Sequence, residues 1–399
     1  MTKNILKRTL AAVLAAAMLL SPALAAEDAE SSGAALQIEW AALEERVRSG
    51  NLNFQALDKN VSSIEAVDYD YMYNSLQKQL RELSGVQSFL ADTGSFNELN
   101  TLNASVASLR STYEDIRDGK LQRDSENAID RMRDAQNQVV AAAQSLYINI
   151  LAMEQSLLDG ERGLAAIDRG LTELRLRHSF GQVSAKAVED LEHTRANTAS
   201  GLETLRSTIA SCKAQLLLLL GEDPGSELSL GALPELIGNE IASLDIEADF
   251  LTAKEKNQNI KNAKIDLEKA DENVEELEDS YRRGDVKRYQ VTSAQRTAEA
   301  ADFTLRSAVQ SFELSFREAY RSLCNSQQIW ENKQSAVEYQ KKQLAFSETQ
   351  YALGRISYFA YLTAQDSLKA AESEEAAAAR DFFTALNKYN NAVKYGILA

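Results

Sequence analysis

The sequence predicts an all-α protein made of two tandem repeats, each a long antiparallel helical hairpin. Three observations carry this. Proline is nearly absent: the chain has 3 in 399 residues. Pro22 lies near the amino terminus, and Pro224 and Pro234 are close together, so Ala26 to Asp223 and Glu235 to Ala399 contain none. Proline removes a donor and clashes inside a helix; stretches of this length rich in Ala, Leu, Glu, Lys, Gln and Arg read as long helices. The second observation is an apolar seam at alternating steps of three and four residues, sustained for more than four heptads. The third is that seam and turn both occur twice, at one offset.

The first 25 residues read as a signal peptide. Lys3, Lys7 and Arg8 form a positive region, Thr9 to Leu20 an apolar run, and Ala23-Leu24-Ala25 a small-residue cleavage site. The apolar run is well short of the ~20 residues that span a bilayer, and no cysteine follows it to take a lipid. The mature chain is expected to begin at Ala26 as an exported protein. With the three basic residues of the leader removed, 40 basic residues face 59 acidic ones, a net charge of −19. Such a chain repels nucleic acid.

Two repeats follow, expected at residues 26–220 and 244–399, with a linker at 221–243 that holds Pro224, Pro234 and four glycines. Each opens alike, Asn51-Leu52-Asn53-Phe54 in the first and Asn257-Gln258-Asn259-Ile260 in the second. The second continues as a heptad through Ala263, Leu267, Val274 and Tyr281, with an acidic, solvated outer face. Glycines then mark helix stops. Gly119 and Gly284 are expected to begin the long helices, near 90 and 105 Å, and Gly181 and Gly354 to end them, with return helices near 60 Å at about 1.5 Å per residue. HSFGQVSAKAVEDLE, from His178, aligns with YALGRISYFAYLTAQ, from Tyr351, at an offset of 173. Gly181 falls on Gly354, Val183 on Ile356 and Ser184 on Ser357, and the glycine of each suits the left-handed helix stop. The return helices carry the paired seams, with Leu202, Ile209 and Leu216 in the first and Ala378, Phe382 and Tyr389 in the second. Arg195 and Glu375 are charged members of those seams, readable as register elements or as side chains reaching out of the seam.

Chemistry finds no footing. His178 and His193 are the only histidines, and no Cys, Asp or Glu cluster stands beside them at metal-ligand spacing. Cys212 is a seam position and reads as a small buried hydrophobe; whether it pairs with Cys324 is open in the sequence. No Gly-rich phosphate loop is present. No catalytic residue, metal site or cofactor is assigned, and the protein is not expected to be an enzyme.

Taken together, the Tyr/His-x-x-Gly-x-[Val/Ile]-Ser tip, the heptads that follow it and the Asn-x-Asn-[Phe/Ile] openings resemble the TolC family of outer membrane efflux proteins. The resemblance implies a homotrimer whose protomers each give two helical hairpins to a tapering α-helical tunnel. It further implies that the tips close the entrance and meet a membrane-fusion adaptor bound to an inner-membrane pump. Carried over by motif, the partner-binding positions are Gly181, Gln182 and Val183 in the first tip and Gly354, Arg355 and Ile356 in the second.

The chain departs from the family in one respect. Family members insert a pair of membrane-spanning strands in each half, whereas here the corresponding places are a short turn at Arg283-Gly284-Asp285 and the region before Gly119. The first half carries about 40 residues more than the second between its opening asparagine and that glycine, an estimate from the repeat, and they read as helical. The expectation is an exported, envelope-located duct component of an efflux or secretion system with little or no β-barrel; outer membrane location is implied by resemblance, and direct lipid contact is open. The rival reading is a non-transporting coiled-coil spacer or adhesin stalk of the envelope.

Overall fold

A computed structural model describes residues 36–236, 241 and 244–398; the expected signal peptide, and part of the expected linker, lie outside them. Among the described residues the order is β1 (Leu36–Ile38), α1 (Trp40–Gly50), α2 (Leu52–Glu65), α3 (Tyr69–Asp92), α4 (Phe96–Arg117), α5 (Lys120–Ser179), α6 (Ala185–Leu220), β2 (Leu228–Leu230), α7 (Ile246–Lys256), α8 (Gln258–Arg283), α9 (Arg288–Ala352) and α10 (Tyr358–Tyr395). The all-α expectation is met, and the long helices have nearly the expected lengths, 60 residues for α5 and 65 for α9. The two strands are an addition the sequence did not suggest. They pair in parallel, Leu36 opposite Leu228 and Ile38 opposite Leu230.

The described residues fall into two compact units, Ala56–Arg133 and a second formed by residues 36–55 and 134–398. The first holds the extra residues of the first repeat, which are helical as expected. Helices α3 and α4 form an antiparallel pair whose facing positions recur at heptad steps, Leu76, Leu80, Leu83 and Leu90 on one and Leu102, Val106, Leu109 and Ile116 on the other. Asp68 caps α3 by accepting from the Tyr71 N–H at 2.8 Å. Tyr73 and Tyr113 stack at 4.7 Å between centroids, and their hydroxyls hydrogen-bond at 2.7 Å.

In the second unit the helices divide one another's length. The 65 residues of α9 are covered by α8 and α10, of 26 and 38 residues, which both pack on it. One core gathers Phe312, Phe316 and Leu323 of α9 with Phe382 and Tyr389 of α10 and Ala253 of α7. The other gathers Leu43 and Val47 of α1, Val140 and Tyr147 of α5 and Leu216 and Leu217 of α6, with Ile38 and Leu228 of the strands. Tyr147 is fully buried; its hydroxyl lies 3.0 Å from the Ile38 carbonyl and 2.8 Å from that of Gly231, so one donor ties both strand ends to α5. Burial pushes this phenol up to about 12. Among the described residues no helix is long and apolar enough to cross a membrane.

Candidate functional site: the paired hairpin tips

Each long hairpin turns on five residues, 180–184 and 353–357, and the local sequence accounts for the turn. At the first tip the Gln182 N–H donates to the Arg177 carbonyl at 2.9 Å and the Gly181 N–H to that of His178 at 2.8 Å. At the second the Arg355 N–H reaches Gln350 and the Gly354 N–H reaches Tyr351, both at 2.9 Å. This pattern satisfies the orphan carbonyls at a helix end and requires a left-handed residue; Gly181 has φ +72° and Gly354 φ +67°. Three residues later a serine restarts the chain, Ser184 Oγ accepting from the Ala187 N–H at 3.3 Å and Ser357 Oγ from Ala360 at 3.1 Å. Between glycine and serine, Val183 and Ile356 are half-buried, whereas Gln182 and Arg355 are exposed.

The tips differ in what surrounds the turn. In the second, Tyr351 stacks on Tyr361 at 5.3 Å and lies 5.8 Å from Tyr358, beside exposed Leu353 and Phe359. In the first, His178 takes the place of Tyr351, and its Nδ1 sits 2.9 Å from the Val183 carbonyl, stitching the turn by a polar contact. Phe180 is 70% exposed there. No cluster of metal-ligating side chains occurs among the described residues.

The six sequence-predicted positions thus fall on two turns, and the helices that carry them are in register. Arg169 Nη2 meets Asp366 Oδ2 at 2.5 Å, and both residues lie twelve positions from the glycine of their tip. Gln155 and Asp159 of α5 hydrogen-bond Ser373 of α10. Farther from the tips, the buried Gln144 accepts from Asn387 at 3.2 Å and from Asn391 at 2.9 Å. The hairpins therefore run side by side through a polar seam between α5 and α10, and the tips stand at one end.

Sequence reasoning missed this seam and a second polar feature. Glu154, Glu161, Asp168 and Arg175, seven apart on α5, pair with Lys213, Arg206, Arg195 and Glu192 of α6 at 2.5 to 2.6 Å. The seven-residue spacing of the acidic members was the available signal. Arg195, one of the two charged seam residues, is exposed and bound to Asp168, whose carboxyl this hydrogen bond lowers. Glu375, the other, accepts from Trp330 Nε1 at 2.7 Å. Cys212 and Cys324 are unpaired.

No protein-family model and no curated protein sequence matches the chain. Solved structures do. A membrane protein from Pseudomonas aeruginosa is 13% identical with a TM-score of 0.57, covering 88% of this chain and 89% of its own. The CmeC outer membrane channel of Campylobacter jejuni is 12% identical at 0.52, covering 72% and 68%. The outer-membrane channel OprN is 12% identical at 0.50, covering 89% of each. These similar structures include channels and no enzyme among those named. Two tandem hairpins, in-register tips and these neighbours give one conclusion: the chain has the TolC-like fold of outer membrane efflux channels.

Proposed function

We propose that this protein is an exported duct component of a tripartite efflux or secretion system, acting in the cell envelope as a homotrimeric α-helical tunnel. The domain plan is a signal peptide at 1–25, repeats at 26–220 and 244–399, and a linker between them. The observation that carries the reading is the pair of in-register hairpins ending in equivalent glycine-serine turns, in the fold of proteins that are outer membrane channels. The tips, with Gly181, Gln182, Val183, Gly354, Arg355 and Ile356, form the entrance that a membrane-fusion adaptor and its inner-membrane pump engage. The Arg169–Asp366 pair links the two hairpins of one protomer just above the turns, and so holds that entrance closed. Movement there needs no chemistry, only exchange of polar contacts for water.

The helical residues that stand where strand pairs would be, α3 with α4 in the first repeat and the turn at Gly284 in the second, support a tube without a barrel of its own. The deciding measurement is the mass of the mature chain in solution without detergent, by light scattering coupled to size exclusion, followed by imaging of the associated species. A trimer with a lumen is expected. A monomer would overturn the duct and favour an envelope spacer or stalk.

A further inference from the structure

The turn between α8 and α9 has the backbone of the two tips and a different surface. Gly284 has φ +84°; its N–H donates to the Tyr281 carbonyl at 3.0 Å, and the Asp285 N–H to that of Ser280 at 2.9 Å. Aligned on the glycine, this turn has Arg283 in place of Phe180 and Leu353, Lys287 in place of Ser184 and Ser357, and Arg288 in place of Ala185 and Tyr358. Arg282 adds a fourth cation. Charge is segregated toward this end: Asp266 to Asp279 hold eight acidic residues and one basic, whereas Arg282 to Arg288 hold four basic and one acidic.

The fold does not ask for these cations. Ser184 and Ser357 cap the helices after their turns, but an ammonium has no acceptor, and α9 starts without a hydrogen bond to the side chain of its cap residue, Lys287. The reciprocal half of the cap remains, Gln290 Oε1 accepting from the Lys287 N–H at 2.9 Å. Lys287 and Arg288 also bring positive charge to the positive end of a 65-residue helix. Two local rules broken at one place mark a position set by function. Arg282 pairs with Asp279 at 3.2 Å and Glu278 at 3.9 Å, and Arg283 with Asp285 at 3.2 Å. Among the described residues no carboxylate meets Lys287 or Arg288.

Two tyrosines flank the cations, Tyr281 in the last turn of α8, 46% exposed, and Tyr289 in the first turn of α9, 69% exposed. The turn projects, with nothing within 4 Å of a Cβ at Gly284. A convex set of cations and rings does not enclose a small ligand, which needs a concave site, but it meets a plane with all its members at once. Anionic headgroups attract Lys and Arg, and tyrosine rings settle at the boundary between headgroups and water. We infer that Lys287 and Arg288, with Tyr281 and Tyr289, dock this end of the α8–α9 hairpin on the surface of an anionic lipid bilayer, by peripheral contact. The acidic remainder of the chain is repelled by such a surface, which fixes the end that approaches. The contact needs one copy only and does not rest on the duct reading.

The test is sedimentation of the mature chain at low salt with sucrose-loaded vesicles, phosphatidylglycerol mixed with phosphatidylcholine against phosphatidylcholine alone. Binding to the anionic vesicles alone is expected, weakening as salt is raised. Lys287→Ser with Arg288→Gln should lower the partition coefficient about 25-fold, about fivefold for each charge, while the thermal midpoint holds or rises because a cap returns. Tyr289→Ser should lower it by at least about threefold with the salt dependence kept. Lys287→Arg with Arg288→Lys should bind as the native chain does. Lys264→Gln with Lys341→Gln makes the same change in net charge away from the turn and should leave binding unaltered; an equal loss there would mean that total charge decides, and would overturn the inference. So would no binding to anionic vesicles, or equal binding to neutral ones. Capture by inorganic polyphosphate with vesicles left unbound would also overturn it, and would assign the turn to a dissolved polymer.

Discussion

Asn51 and Asn257 hold two helix junctions, α1–α2 and α7–α8, with the same two bonds. Asn51 Oδ1 accepts from the Phe54 N–H at 2.9 Å, and its Nδ2 donates to the Leu219 carbonyl at 3.0 Å. Asn257 Oδ1 accepts from the Ile260 N–H at 3.0 Å, and its Nδ2 donates to the Gly396 carbonyl at 2.9 Å. One amide thus caps the helix that follows it, α2 or α8, and anchors the end of the return helix, α6 or α10. A side chain with both a donor and an acceptor is needed, which is why neither serine nor aspartate serves here.

Truncating either asparagine removes a cap worth about 1 kcal/mol and leaves a carbonyl without its donor at about 1–3 kcal/mol when buried. Asn51 is 3% exposed, whereas Asn257 is half-buried. Asn51→Ala is therefore expected to cost about 2–4 kcal/mol and Asn257→Ala about 1–2, read from urea midpoints. Equal, negligible losses would mean that the duplicated corner carries no stability.

The glycines separate by a similar contrast. At Gly354 nothing stands within 4 Å of an added Cβ, so Gly354→Ala meets only the strain of the left-handed backbone, about 1–2 kcal/mol. At Gly221 the same Cβ would lie 1.9 Å from the Gly50 carbonyl oxygen, and the chains must separate. Gly221→Ala is expected to destabilise the protein by more than about 3 kcal/mol, with Gly354→Ala clearly milder in thermal melts.

Most of the helical plan was legible because it rests on local rules. Proline-free length, heptad seams and glycine-serine turns act within a few residues, so α5, α9 and both tips could be read from their own sequence. What escaped was set by partners far along the chain. Leu36–Ile38 becomes a strand only because Leu228–Leu230 lies beside it and Tyr147 bonds its end. Arg169 and Asp366 are ordinary surface charges until the two hairpins align. The site positions were found as turns, yet nothing in Gln182 or Arg355 alone says what they touch.

Acid should weaken the junction of α1 with α10 in a predictable window. Burial works to raise the Glu44 carboxyl, but hydrogen bonds from Lys394, Tyr395 and Arg48 outweigh it and hold it at about 2. The unfolded value is about 4.3. A carboxyl depressed on folding contributes stability fully above its unfolded pKa and loses it as the pH falls through the folded one, here between about 4.3 and 2. Allowing for partial exposure, the contribution is about 1–2 kcal/mol. Glu44→Gln should lack this part of the acid dependence, so the stability gap between native and variant, measured by urea melts, should close from pH 6 to pH 2.5. A gap that stays constant would place the effect elsewhere.

The first hairpin should also respond to salt more than the second. Its ladder of four pairs between α5 and α6 is largely exposed, and each such pair is worth about 0.2–1 kcal/mol and is screened by ions. The second hairpin has the Lys333–Glu374 pair beside Trp330, but toward its tip it is held by apolar rings, with Tyr351 stacked on Tyr361, which high salt does not weaken. Hydrogen exchange at low and at molar salt should show faster opening in α5 and α6 near Asp168, with α9 and α10 near Tyr351 unchanged. Equal acceleration in both would count against the ladder as the holding element.

Loss of the Arg169–Asp366 pair should loosen the tips without unfolding the chain. Both partners are more than a third exposed, so their net contribution to stability is small, about 1 kcal/mol or less; the pair nevertheless joins α5 to α10 nearest the turns. Asp366→Asn keeps the shape and removes the charge. The expected outcome is a thermal midpoint within a few degrees of the native value, with a broader distribution of distances between spin labels at Gln182 and Arg355 in a background lacking both cysteines. Arg169→Gln should give the same broadening, and the double variant no more than either alone, since both act through one contact. An unaltered distribution in Asp366→Asn would mean that the seam at Ser373 and Gln144 suffices to hold the hairpins, and the closing role would pass to those residues.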